Sequence, residues 1–409
     1  MAIPYSFLRL AKGFRGFICR IENNSVPLPR SIISVMKHQA FALYILFCFV
    51  SLCLQAQQIK IGNYTFSGGG EYQGELFKGK PYGQGKTVYP NGDWHEGEYV
   101  KGKRQGKGTY QFADGEKYEG EWFGDQQHGK GTYYFANNNR YEGLWFKDFQ
   151  QGLGTMYYYN GDTYVGSWMQ DKREGTGRYT YADGGAYYEG QWKNDMKDGH
   201  GVFDWNDGNR YDGSWKENQK HGKGTFTYAT GDSYTGDWAD DQQHGKGIFI
   251  FADGNRYEGQ YVHGQRTGEG IYTFANGDKY VGHFNGGEQD GMGTFTWHTG
   301  ASYVGQWRHN KQHGSGKYRW ANGDEYDGHW ADGLLDGEGI LRQADGVRFK
   351  GTFHKGLKEG KGILEDADGI RYEGNFSDDK KNGEFIEKDK NGLFLRKVTY
   401  VNGIPVSTD

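Results

Sequence analysis

Several stretches of the chain carry residues of types that could do chemistry. GDQQHGKG, Gly124–Gly131, is one residue short of a phosphate-binding loop. Such a loop needs a Ser or Thr hydroxyl after the lysine to hold magnesium, and a helix opening at that point. Gly131 stands in the hydroxyl position, and the TYYF after it reads as a strand. His128, His221, His244 and His313 each precede the first glycine of a Gly-x-Gly. Metal ligands must each come within about 2.1 Å of one ion, whereas equivalent positions in successive hairpins lie two strands, about 10 Å, apart. They are therefore expected to be loop histidines, and no metal site is assigned. Glu119, Glu142, Glu189, Glu258 and Glu373 all sit in the x of Tyr-x-Gly. General acid–base work needs two carboxylates in different environments; these share one repeated environment, alternate with the aromatics and are expected on the solvent face. Turns such as ADGNR invite a calcium reading, but the Gly-Gly-x-Gly-x-Asp spacing of calcium-binding rolls is absent. No residue is assigned to catalysis, a cofactor or a metal, and the chain is expected not to be an enzyme.

The near matches are by-products of a repeat. Aligned on aromatic-x-Gly-x-aromatic, the anchors are Tyr72, His95, Tyr118, Tyr141, Tyr164, Tyr188, Tyr211, Tyr234, Tyr257, Tyr280, Tyr303, Tyr326, Phe349 and Tyr372, each 23 residues after the last except for a step of 24 into Tyr188. Four residues on comes a tryptophan at Trp122, Trp145, Trp168, Trp192, Trp215, Trp238, Trp307 and Trp330, and eleven residues on a Gly-x-Gly begins, from Gly83/Gly85 to Gly360/Gly362. Both Tyr-x-Gly-x-Trp and Gly-x-Gly-x-Tyr-x-Phe alternate with period two, so each unit reads as two strands with their aromatics on one face. Pairs such as Asn91-Gly92, Asp253-Gly254 and Asn322-Gly323 are expected to make the tight positive-φ hairpin turn, with a longer polar loop (FGDQQ, KENQK) at the other end. Strand glycines ordinarily cost stability; here the expectation is that they let aromatic rings lie flat on bare backbone. One unit cannot fold alone. Two or three buried aromatics give about 1.5–3 kcal/mol each, against roughly 1–2 kcal/mol per residue to order 23 of them; stability must belong to the stack.

The unit YEGEWFGDQQHGKGTYYFANNNR, Tyr118–Arg140, resembles a MORN repeat, and fourteen copies in register cover residues 72–394. The resemblance implies an all-β, elongated array: a single-layer, twisted antiparallel meander of about 14 hairpins. It also implies a scaffold, a dimerisation element or a membrane-associated module. MORN arrays are also fused to lipid kinases or lysine methyltransferases, but the chain has no room for such a domain. Residues 57–71 read as an N-terminal half repeat and 395–409 as a C-terminal cap.

Composition agrees. Seventy glycines and 17% aromatics in 409 residues are too many for an ordinary globular domain or a disordered chain. Of 48 basic and 52 acidic side chains, six and one lie in the first 56 residues, so the rest carries a net −9. That argues against nucleic acid as a partner and tells less strongly against an anionic membrane. All three cysteines (Cys19, Cys48, Cys53) lie before residue 57, so the body has no disulfide or thiol chemistry. From Met36, a lysine followed by the apolar run 40–54 and LQA before Gln57 reads as a signal peptide over residues 36–56, cleaved between Ala56 and Gln57. Residues 1–35 read as a mis-called upstream extension. The alternative is an uncleaved membrane anchor over residues 40–54.

The function expected is a non-enzymatic scaffold of the cell envelope, exported to the periplasm or cell surface or secreted, without cofactor, that binds protein partners or a second copy of itself. The alternative is a module for membrane lipid or envelope glycan. The aromatic face is either packed upon itself or open as a groove.

Overall fold

The computed structural model describes residues 38–39, 41–43, 45–46, 59–183 and 185–408. The signal peptide, its cleavage site at Ala56 and Gln57, and the upstream extension lie outside these apart from the short helical pieces at 38–39, 41–43 and 45–46. Among the described residues no helix is long and apolar enough to cross a membrane.

The described residues hold 31 strands, from Ile59–Thr65 to Ile404–Thr408. They fall into two compact units: residues up to 137 with 144–148, and residues 138–143 with 149 onward. Within each, strands pair antiparallel with the neighbours before and after them in sequence, as Lys103–Gln111 does with Lys117–Phe123 and Gln219–Thr227 with Ser233–Ala239. The fold is all-β, as expected.

The register brings the glycines into line. In the second unit Gly213 faces Gly224, Gly224 faces Gly236, Gly236 faces Gly247, and the row continues to Gly374. In the first unit it runs Gly62, Gly74, Gly85, Gly97, Gly108, Gly120, Gly131. Each anchor tyrosine lies flat across this row. A Cβ on Gly224 would stand 2.3–2.6 Å from the Tyr211 hydroxyl and ring carbons, and one on Gly213 would stand 2.6 Å from the same hydroxyl. The two glycines of each Gly-x-Gly therefore do different work. The second makes room for the ring. The first, as at Gly222 (φ 74°), takes the left-handed backbone of a bulge where the register slips between Gly213 and Trp215. The Tyr211 hydroxyl donates to the Ser214 carbonyl in that bulge at 3.0 Å, and the Tyr118, Tyr188 and Tyr303 hydroxyls do likewise.

The anchors from Tyr72 to Tyr326 are essentially fully buried and the indoles only 4–6% exposed. From Tyr118 to Tyr326 each anchor tyrosine meets aromatic rings edge-on, indoles on both sides in the regular repeats: Tyr164 with Trp168 at 5.2 Å and with Trp192 at 5.4 Å. The indole N–H donates to a glycine carbonyl in the preceding hairpin, as Trp238 does to Gly224 at 3.2 Å. Side-chain latches tie both strand ends to the next hairpin. Asp232 accepts from the Ala252 amide and Asp241 from the Lys220 amide.

The turns correct the sequence reading. At the Asn-Gly pairs between repeats only the glycine takes positive φ (Gly92, 91°), closing a type I turn in which the Gly92 amide donates to the Tyr89 carbonyl. The tight two-residue turn is at the other end, where the longer loop was expected: Met169 pairs with Lys172 across Gln170 (49°) and Asp171 (65°). Where Asp stands at the second turn position, as Asp171 does, it also supplies the latch; elsewhere glycine takes that position, as at Gly102 and Gly333. The last anchor differs too. Tyr372 is only half-buried, and its hydroxyl donates to Asp366. Phe385, standing where the next glycine would be, lays its ring on Gly374 and closes the row.

His95 takes a tyrosine slot. Its ring is buried over Gly108, edge-on to Tyr99 and Trp122, with neither nitrogen bonded among the described residues. Burial, helped by the Arg104 charge, pushes its pKa down to about 3.

Two outcomes follow. Gly224→Ala should lower the unfolding free energy by roughly 3 kcal/mol. In a Tyr211→Ala background the same change should be neutral or stabilising, since alanine is the better strand residue once the ring is gone. Urea titrations of the four proteins check this, and equal costs in both backgrounds would refute the packing. For His95, the unfolded chain takes up a proton near pH 6.5 that the folded chain refuses down to about pH 3. Stability should therefore fall with pH across that window by about 1.4 kcal/mol per unit. His95→Tyr should remove one proton's worth of that slope between pH 6 and 4, and an unchanged slope would show that His95 is not held neutral.

Candidate functional site

Glycines that seat rings on one face leave bare backbone on the other. On that opposite face the second unit carries two troughs, about 910 Å³ between His200 and Val281 and about 840 Å³ between Ser315 and Glu384. Their floor is the glycine row. Their walls are single side chains from each repeat, chiefly the x of Gly-x-Gly (His200, Lys223, Lys246, Glu269) and the x of Tyr-x-Gly (Asp212, Thr235, Glu258). Because a strand alternates sides, these positions share a face by construction.

The carboxylates singled out from sequence lie on this face, as expected. Glu119 pairs with Lys117, Glu142 with Arg140, Glu189 with Arg178, Glu258 with Arg256 and Glu373 with Lys388, at 2.6–3.4 Å. These are exposed or half-exposed pairs of the kind worth at most about 1 kcal/mol. The trough lysines were not singled out from sequence. A charge in the middle of Gly-x-Gly looks like any solvated residue until the register sets several in line. Lys223 pairs with Asp237 at 2.5 Å. No carboxylate stands within ion-pairing distance of Lys246 among the described residues.

The four histidines stand in strands and not in loops as expected, because the tight turn is only two residues long; His128 packs between the rings of Phe123 and Phe146 at 5.6 and 5.2 Å. The structure brings none of the four together with two further ligands, and among the described residues no group of three or more His, Cys, Asp or Glu could hold a metal ion. The segment Gly124–Gly131 forms a two-residue turn and enters the strand Gln126–Tyr134, with no helix at the point where a phosphate loop needs one.

The aromatic face is covered mainly by itself. Beyond the buried tyrosines and indoles runs an outer ladder of buried and half-exposed rings, with Phe203–Trp205 at 4.3 Å, Trp205–Phe226 at 5.4 Å and Phe226–Tyr228 at 4.4 Å. A long basic side chain at the start of the strand after a tight turn roofs the indole of the next hairpin in several repeats: Arg173 lies 4.3 Å from the Trp192 ring centre and Lys197 4.4 Å from that of Trp215. Burial pushes the Lys197 ammonium down to about 8. The roof opens at one cleft of about 450 Å³ beside Arg266 and Trp297.

No curated protein matches the chain. Among solved structures it is similar to the TCP domain of SAS-4 from Drosophila melanogaster (18% identity, 44% of this chain and 90% of that one, TM-score 0.26). It is also similar to the TCP10 domain of Danio rerio CPAP (11% identity, 77% and 98%, TM-score 0.13) and to virginiamycin B lyase from Staphylococcus aureus (10% identity, 75% and 95%, TM-score 0.12). Scores this low bear on neither fold nor function. The family comparison does. The MORN repeat model matches fourteen successive segments: five from 72–94 to 164–186, then nine from 188–210 to 372–384, the last one short. It passes over only residue 187, the insertion already visible in the spacing of the anchors. With its anchors, glycine rows and hairpins in that register over most of its length, the chain belongs to the MORN-repeat family.

Proposed function

We propose that the protein is a non-enzymatic interaction scaffold, exported to the cell envelope through residues 36–56, that holds protein partners or a second copy of itself on the polar face of its repeats. The observation that carries this reading is the division of labour between the faces. On the ring side, the anchor ring and its glycines recur almost unchanged, and an aromatic fills the next slot from Tyr99 onward. In the troughs the side chains change from repeat to repeat, with Lys223, Lys246 and Glu269 at equivalent positions. A uniform frame with a variable face suits recognition of partners along its length. It gives no residue the distinct environment that catalysis requires. Strand backbone is already paired in the ladder, so a partner reads these walls through side chains and not by adding a strand.

A second reading, lipid binding, draws on one edge of the first unit. Val100, Phe123 and Phe146 are 39%, 63% and 48% exposed where strands enter the tight turns. Lys78, Lys80, Lys101, Lys103 and Lys147 stand in or beside those turns, against Asp125 and Asp148. Exposed rings among lysines suit the boundary of an anionic bilayer.

A photo-crosslinking residue placed at Thr235, inside the trough, should capture protein in living cells, whereas one at exposed Lys279 should not. Lipid adducts alone, or none, at Thr235 would sink the scaffold reading. For the edge, the purified protein should sediment with phosphatidylglycerol vesicles at low salt and be released at moderate salt. Phe123→Ser with Phe146→Ser should abolish sedimentation, and equal sedimentation of the two proteins would remove lipid from this edge.

A further inference from the structure

The cleft beside Arg266 arises where the repeat departs from its own rules in two ways at once. The first departure concerns charge. Three arginines occupy the roofing slot across the tight turn. Arg104 ion-pairs with Asp125 at 3.6 Å and Arg173 with Asp195 at 3.1 Å; both aspartates lie in the following turn. The corresponding position after Arg266 is Gly287. A Cβ there would stand 3.9 Å from an Arg266 guanidinium nitrogen. Among the described residues no carboxylate lies within ion-pairing distance of Arg266; its polar neighbour is the Tyr272 hydroxyl.

The second departure concerns volume. In these repeats the indole slot holds Tyr261 and Phe284. Phe284, smaller than an indole, borders a space of about 450 Å³, which is walled by aromatics that include Phe274 and Trp297 and edged by Gln289 and Gln312. No acidic residue lines it.

We propose that this cleft receives an acidic side chain, Asp or Glu flanked by apolar residues, from a protein partner. The proposal rests on the scaffold reading and adds a site on the opposite face from the troughs. A guanidinium among rings, stripped of its internal carboxylate, is an incomplete ion pair, and a ligand carboxylate completes it with the planar two-bond geometry that arginine favours. One carboxylate matches the single positive charge; a phosphate dianion would bring excess charge into an aromatic-walled space. The amides of Gln289 and Gln312 can both donate to and accept from a peptide backbone. The rings take the apolar flanks, as anchor pockets at interfaces do.

The array itself supplies clean variants. Gly287→Asp restores the internal pair, at a turn position where aspartate is tolerated at positive φ (Asp125 at 79°, Asp195 at 68°). Arg266→Gln places the residue that fills the same slot at Gln243, Gln289 and Gln312. The full-length protein and both variants, matched by thermal melts, would be screened against an immobilised library of randomised, acetylated and amidated hexapeptides. The wild type should enrich peptides with one Asp or Glu between apolar residues, and both variants should bind the enriched peptides about tenfold or more weakly, the size of a charge-assisted pair. Enrichment of neutral or basic peptides, or no enrichment, would overturn the assignment. An identical set from all three proteins would overturn it as well, while leaving the scaffold reading to stand on its other surfaces. The Thr235 crosslink tests that reading separately.

Discussion

A tyrosine ring lying on bare glycine backbone is the contact on which the rest of this protein depends. The ring needs three things at once: no Cβ beneath it, a bulge whose carbonyl can accept its hydroxyl, and aromatic rings, most often indoles, against its edges. Those needs dictate Gly at the second position of Gly-x-Gly and at the Gly of Tyr-x-Gly, a left-handed glycine at the bulge, and a 23-residue period that returns the next ring to the same place. A face built this way has no second layer and covers itself. This is how a sheet one layer thick acquires a dry core.

The same constraint frees the opposite face. Positions between the glycines point away from the rings and bear no packing duty, so they vary with little cost to the frame. Recognition is therefore separable from stability on the trough side. Around Arg266 it is not: the cleft is bordered by a core residue, Phe284, that is smaller than the indole of the regular repeats. At the ends of the rows the frame is terminated by substitution. Phe385 puts a ring where a glycine would stand, so Tyr372 loses its seat and turns to Asp366.

Much of this was legible in the sequence because the repeat averages out local ambiguity. Period-two alternation, the 23-residue step and the doubled glycines gave strands, hairpins and the ring-bearing face. The turns were misread because Asn-Gly is a strong local signal for a tight turn, while pairs such as Gln170-Asp171 look like loop. What decides between them is the latch that Asp171 makes to the Gln150 amide, a contact 21 residues away that no local pattern carries. The Arg266 cleft was hidden for the same reason. A missing aspartate is visible only once Arg104–Asp125 and Arg173–Asp195 show where it belongs. His95 could be placed in the tyrosine slot, but the loss of both hydrogen-bond partners depends on three dimensions.

The most direct measurement is the proton chemical shift of the glycine Cα groups in uniformly deuterated protein back-labelled with 13Cα-glycine. Within each Gly-x-Gly, the second glycine, such as Gly224, has a Cα proton under a tyrosine ring and should resonate well upfield. The first, such as Gly222, faces away and should not. That alternation, repeated along the array, is what the account predicts; two glycines with the same ordinary shift in every pair would contradict it.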